Sequence, residues 1–257
     1  MTVSFLKRAV VVAIPLSVAV GICLHRGCGA TGPRVPPADA NVTVGPRNST
    51  RNYDLAHDFI RWFESSYVDN MLEVNGRSTD VAESVERIGR DKTIDRYVAI
   101  RRMELDYAVN HPGDKPVPET HLDEITERKY RHVVSNTGSS KKWINYNDEK
   151  LRQGVMAAYR QEVLAWIPFY RRLLSGPTPS DETDFRGLIK RRFTREEYEK
   201  TVEQSLRGTV TFYASLKKGV AWYAPWSPWV KSSLDSACKK DVAIWRATVD
   251  EIYGRKR

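Results

Sequence analysis

Cysteine is scarce in this chain of 257 residues: Cys23, Cys28 and Cys238 are the only three. Two of them lie in or beside an apolar segment near the amino terminus, which leaves Cys238 alone in the body of the protein. An intrachain disulfide framework is excluded, and so is a zinc site made of four cysteines. A site of three cysteines and a histidine would have to recruit the amino-terminal segment. The fold must therefore stand on its core. Cys238 falls on an apolar helical face and reads as a small hydrophobe rather than a reactive thiolate.

Histidine is also sparse. Beyond the first 30 residues there are His57, His111, His121 and His132. They form no His-Glu-x-x-His or Glu-x-x-His pair. His57 and Asp58 are neighbours, so on a helix they point about 100° apart. His121, Asp123 and Glu124 sit in a first helical turn, where acids answer the helix dipole. No metal site and no cofactor are expected. A Gly-x-Ser-x-Gly elbow and a phosphate-cradling glycine loop are both missing. No catalytic residue is assigned. One arrangement keeps enzyme chemistry open: acids on separate helices, such as Glu64, Glu104 and Glu162, can converge as a pair. Solvated or ion-paired carboxylates are the default reading of the same residues.

Long apolar runs are absent but for one. Ala9 to Leu24 holds 16 residues with Ser17 its only polar side chain, preceded by Lys7-Arg8 and closed by His25-Arg26. At about 1.5 Å per residue it nearly spans a hydrocarbon core of roughly 30 Å. Three readings of residues 1–26 follow, in this order. The first is an uncleaved single transmembrane span, since His25 and Arg26 stop a helix in the headgroups. The second is a signal peptide cut after Cys28-Gly29-Ala30, which gives a secreted or periplasmic protein. The third is an anchor in the mitochondrial inner membrane, because no acid precedes Asp39. Basic residues near the two ends balance; the adjacent Lys7 and Arg8 tilt the amino terminus inward and the body outside the cytoplasm. Residues 27–52, with Pro33, Pro36, Pro37 and Pro46 among several glycines, read as a stalk too poor in apolar side chains to order itself.

Alternation of period two over a useful length is lacking from Tyr53 to the end, and so is a repeat of solenoid length. Helical spacing dominates instead. Leu55, Phe59, Phe63, Tyr67 and Met71 recur every fourth residue until Asn75-Gly76. Val81, Val85 and Ile88 predict a short helix closed by Gly89. Ile94, Tyr97, Val98, Arg101, Leu105 and Val109 predict a third, stopped by His111-Pro112-Gly113. Thr120, with Asp123 three residues on, predicts the cap of a fourth that carries Leu122, Ile125 and Val133. Leu151, Val155, Tyr159, Val163 and Ile167 predict a long fifth, bent or split at Pro168. Ser180 is placed to cap a short helix through Phe185 and Ile189. Thr194 and Glu197 form a capping box for Tyr198, Val202, Leu206, Val210, Tyr213 and Leu216, with Gly219 as the stop. Val230, Leu234, Cys238, Val242, Trp245, Val249 and Ile252 predict the last helix. Residues 53–257 are thus predicted to be an all-α bundle of about six to eight helices with short loops.

The formal charge is +9, and Lys7, Arg8 and Arg26 supply three of those charges. Elsewhere bases alternate with acids, as in Arg195-Glu196-Glu197 and Lys239-Lys240-Asp241, the pattern of solvated helix faces. The denser spots, Lys190-Arg191-Arg192, Lys217-Lys218 and Arg255-Lys256-Arg257, read as solvated faces or anionic-lipid contacts, so no nucleic acid is expected as partner. One local feature stands out: Trp222, Tyr223, Trp226 and Trp229, with Pro225 and Pro228, crowd into eight residues between two helices. These rings plug the bundle end, present a protein interface, or rest among lipid headgroups. The functional expectation is a membrane-anchored helical binding, assembly or accessory subunit, holding lipid through its first helix and a protein partner through these rings. The alternative is an extracytoplasmic helical enzyme of hydrolase-like, carboxylate-based chemistry. It predicts a concave pocket holding two or more carboxyls with displaced pKa.

Overall fold

A computed structural model describes residues 47–74, 79–136, 144–177, 182–220, 225 and 227–255. The apolar segment 9–24, the stalk as far as residue 46, the Asn75-Gly76 stop, Ser180, and Trp222, Tyr223 and Trp226 lie outside the described residues. Among the described residues there are eight helices and no strand: α1 (Arg47–Leu72), α2 (Asp80–Ile88), α3 (Arg90–Asn110), α4 (Glu119–Asn136), α5 (Glu149–Leu174), α6 (Phe185–Arg192), α7 (Arg195–Gly219) and α8 (Ser227–Tyr253). A single β-bridge, Ile144 to Val220, ties the approach to α5 to the end of α7.

The all-α architecture is as the spacing predicts, and most of the stripes face inward. Leu151, Val155, Tyr159, Val163 and Ile167 of α5 are all buried. That helix occupies the centre of the bundle, packed against α1, α3, α4, α6 and most extensively α7. Phe63 stacks on Trp245 with ring centres 3.7 Å apart, and Trp166 stacks on Trp245 at 5.0 Å. These rings from α1, α5 and α8 are fully buried, each contributing on the order of 2–3 kcal/mol of transfer free energy. Tyr107, Leu122, Ile125, Val163 and Ile167 form a smaller core where α3, α4 and α5 meet.

The capping signals are partly confirmed. Thr194 and Glu197 make the full capping box of α7. Gly89, at φ +88°, closes α2 in a conformation that side chains avoid. Other boundaries differ. Thr120 lies within α4, which begins one residue earlier at Glu119. Asp184, not Ser180, caps α6, accepting from the Arg186 amide at 3.1 Å. Pro168 neither ends nor splits α5. Pro168 and Leu164 are both exposed, so the carbonyl that loses its amide partner is on the side where water can serve it. The first helix starts at Arg47, within the stretch read as stalk. Buried Asn52 there donates to the Leu174 and Gly176 carbonyls at 3.2 and 3.0 Å, satisfying the open end of α5.

Val210 is 51% exposed, although it continues the α7 pattern. The rest of the predicted stripe, Tyr198, Val202, Leu206, Tyr213 and Leu216, is buried, joined by the small residues Ser205, Gly208, Thr209 and Ser215. A Cβ added to Gly208 would stand 2.8 Å from the Ala158 carbonyl oxygen and 2.9 Å from Glu162 Cγ. The α5–α7 approach at Gly208 is closer than a larger residue allows.

Candidate functional site

Charged residues interrupt the buried stripes of several helices, and the fold brings them together. Glu64 follows Phe63 on α1. Arg101 and Glu104 are three apart on α3, hence on one face. Lys129 lies between Ile125 and Val133 on α4, Glu162 beside Val163 on α5, and Asp241 one helical turn before Trp245 on α8. Glu64, Glu104, Lys129, Glu162 and Asp241 are all buried. The three acids named from sequence as able to converge, Glu64, Glu104 and Glu162, do so.

The connections are specific. Arg101 Nε donates to Glu64 Oε1 at 2.8 Å, and its Nη1 lies 3.4 Å from Glu162 Oε2. Lys129 Nζ reaches the same Glu162 oxygen at 3.3 Å and pairs with Glu104 Oε1. Glu162 thus bridges both cations. Aromatic faces complete their surroundings: the Arg101 guanidinium lies 4.8 Å from the Trp245 ring centre and Lys129 Nζ 5.3 Å from that of Tyr159. Gly208 lets α7 press against Glu162.

Asp241 stands apart from these pairs. Its carboxyl is hydrogen-bonded to Tyr213, which is in turn bonded to Tyr67. Its Oδ1 has no hydrogen-bond partner among the described residues, and neither has Glu104 Oε2. Neither Arg101 nor Lys129 forms an ion pair with it. Asp241, Glu64, Glu162 and Arg101 line a cavity of about 80 Å³. Tyr67, Tyr97, Tyr159, Phe212 and Tyr213 are its aromatic lining.

Four carboxyls face two cations here, and burial makes the surplus negative charge costly. Burial pushes Asp241 well above the usual carboxylate range, with Arg101 opposing and Glu162 and Glu64 adding to the rise. Glu64 and Glu104 are raised for the same first reason, with Arg101 and Lys129 respectively pulling back. Arg101 loses solvation as well, yet Glu162, Glu64 and Glu104 raise it and hold it charged. Burial thus favours the protonated form of Asp241, and a positive charge arriving beside it would favour loss of that proton.

Asp241 and Lys129 are the residues that sequence reading missed. Asp241 was grouped with Lys239 and Lys240 on a solvated face; the structure corrects this, because Asp241 shares a face with Ala237, Ile244, Trp245 and Thr248. The available signal was a charge at stripe spacing in an otherwise apolar row. Of the four interface candidates, only Trp229 is described; it is 46% exposed near the start of α8. His121 turns toward Tyr107, its Nδ1 3.3 Å from the hydroxyl. No three of His, Cys, Asp or Glu are placed to hold a metal among the described residues. No helix among them is long and apolar enough to cross a membrane. Cys238 is half-buried with a free thiol, which burial pushes upward in pKa.

The site belongs to an all-α bundle with a polar centre. No known family model, curated protein or solved structure matches the chain.

Proposed function

We propose that this chain is a membrane-attached binding protein whose helical body holds a small molecule in the cavity beside Asp241. The observation that carries the reading is the Asp241 carboxyl: buried, facing a cavity, with one oxygen unpartnered. A buried acceptor left without a partner costs roughly 1–3 kcal/mol, and a ligand that satisfies it recovers that cost. The apolar segment 9–24 supplies the attachment to lipid, and the body acts outside the cytoplasm. Trp229, exposed near the start of α8, offers a ring to lipid or to a protein partner.

The test is thermal denaturation of the full-length chain against a broad set of small molecules, with Asp241→Asn as control. Ligands that raise the melting temperature of the wild type and not of the variant support the reading. A hit list unchanged by the substitution overturns it. Alkaline extraction of native membranes tests attachment: the chain is expected to stay in the pellet.

A second reading is favoured by the raised carboxyls. An acid whose burial favours the protonated form can serve as general acid inside a cavity, and Glu162, which meets both cations, can serve as base. That is the extracytoplasmic carboxylate enzyme, and hydrolysis lost on Asp241→Asn would support it.

A further inference from the structure

The cavity lining combines carboxyls with aromatic rings, and the two together select one class of ligand. Arg101 is already engaged with Glu64 and Glu162 and sits over Trp245. Lys129 is engaged with Glu104 and Glu162. No cation of the chain is paired with Asp241 among the described residues. Five aromatic residues also line the cavity, Tyr213 and Tyr67 among them beside Asp241. Tyr67 and Tyr97 are 5.5 Å apart between ring centres, Tyr159 and Phe212 5.8 Å, and Phe212 and Tyr213 5.3 Å. An anion would meet surplus carboxyls. A hard divalent cation wants six or more oxygen ligands, which the aromatic rings do not supply. An organic cation uses both kinds of lining group at once, with its charge against the carboxylate and its C–H surface on the rings.

Resting on the reading of this cavity as a ligand site, we infer that its ligand is a small organic ammonium ion, paired with the Asp241 carboxylate and caged by Tyr67, Tyr97, Tyr159, Phe212 and Tyr213. The cavity volume of about 80 Å³ suits a group of a few heavy atoms. Binding exchanges one positive charge for another: the cation enters, and the Asp241 carboxylic acid releases its proton to solvent. The groups facing that carboxyl are Glu64 and Tyr67 from α1, Arg101 from α3, Glu162 from α5 and Tyr213 from α7. Arg101 favours the charged form, while Glu64 and Glu162 oppose it. Affinity therefore rises with pH.

Calorimetric titration of the full-length chain in non-ionic detergent tests this, with tetramethylammonium and methylammonium chloride as probes and tert-butanol as the neutral control. The expected result is saturable binding of at least one cation with Kd near 1 mM or tighter, on the order of −4 kcal/mol. It should be roughly tenfold or more weaker at pH 5 than at pH 8 and accompanied by proton release. Asp241→Asn should lose about tenfold in affinity while melting cooperatively. Tyr97→Leu, which leaves every carboxyl in place, should also weaken binding several-fold. Binding of tert-butanol as tight as that of the cations, or undiminished cation binding by Asp241→Asn, overturns the inference. If neither cation binds but another compound stabilises the chain in an Asp241-dependent way, the ammonium assignment fails and the ligand-site reading stands. If nothing does so, both fail.

Discussion

Lys129 of α4 reaches across to Glu104 of α3 with both side chains shut off from solvent, at 1% and 0% exposure. Lys129 also holds Glu162. Truncating one member of such a pair leaves the other as a buried, unneutralised charge. Lys129→Met is expected to destabilise the body by about 3–5 kcal/mol. The double substitution Lys129→Met/Glu104→Gln should recover a large part of that loss. Urea unfolding of the wild type, both single variants and the double variant gives the coupling energy, and additive losses would rule out the buried pair.

Asp241 sets the pH response. An acid whose pKa is higher in the folded state takes up protons on folding. Its stabilising contribution is complete below the ordinary carboxylate pKa and is lost as pH rises through the elevated folded value. Glu64 and Glu104 act in the same direction. Glu197, held down to about 2 by Arg172 and the Thr194 amide, acts oppositely, losing its contribution as pH falls from the ordinary range toward 2. His132, lowered by burial, also opposes them as pH falls from 8, but one group works against three raised acids, so the melting temperature is expected to rise from pH 8 to pH 5. Asp241→Asn should stabilise the body at pH 8 and flatten the slope. An unchanged slope would show that the carboxyl is solvated.

Gly208 tests the close helix contact. A methyl there would meet a backbone oxygen, Ala158 O, at 2.8 Å, and backbone cannot swing aside. Gly208→Ala would gain roughly 1 kcal/mol from helix propensity in an open helix. Here it is expected to cost about 1–3 kcal/mol through overpacking. Because Glu162 Cγ is the next neighbour, at 2.9 Å, the variant should also lose ligand affinity. Chemical denaturation and the calorimetric titration read the two effects separately.

Cys238 is the thiol to label. Half-buried, with its pKa pushed upward by burial, it should react with iodoacetamide at pH 7.5 about tenfold or more slowly in the folded chain than in urea. Peptide mass mapping distinguishes it from Cys23 and Cys28.

Much of the bundle was legible because amphipathic periodicity is local. Phe59 and Phe63, Tyr159 and Val163, Tyr198 and Val202 each occupy neighbouring turns of one stripe, and a stripe can bury itself in only one direction. The Thr194–Glu197 box and Gly89 were legible for the same reason: their partners lie within four residues. Boundaries that depend on distant atoms were not. Asn52 extends α1 because it caps the far end of α5, and Pro168 is tolerated because its side of α5 meets solvent.

The site divides along the same line. That Glu64, Glu104 and Glu162 occupy separate helices able to converge was written in the chain. Whether they did, and with which cations, depended on how α1, α3, α4, α5 and α8 pack. Gly208 of α7 helped decide this by leaving room for Glu162 against that helix. Asp241 shows the limit most clearly. Next to Lys239 and Lys240 it has the composition of a wet surface, yet its angular position around α8 points it at Arg101 and Tyr213. A sequence records angle around a single helix, and composition in a window blurs even that. The local pattern by itself determined an all-α bundle of about six to eight helices and most of their inward faces. Only the assembled tertiary structure decided which buried charges would share one low-dielectric space, because electrostatic pairing acts between helices that the sequence separates by scores of residues.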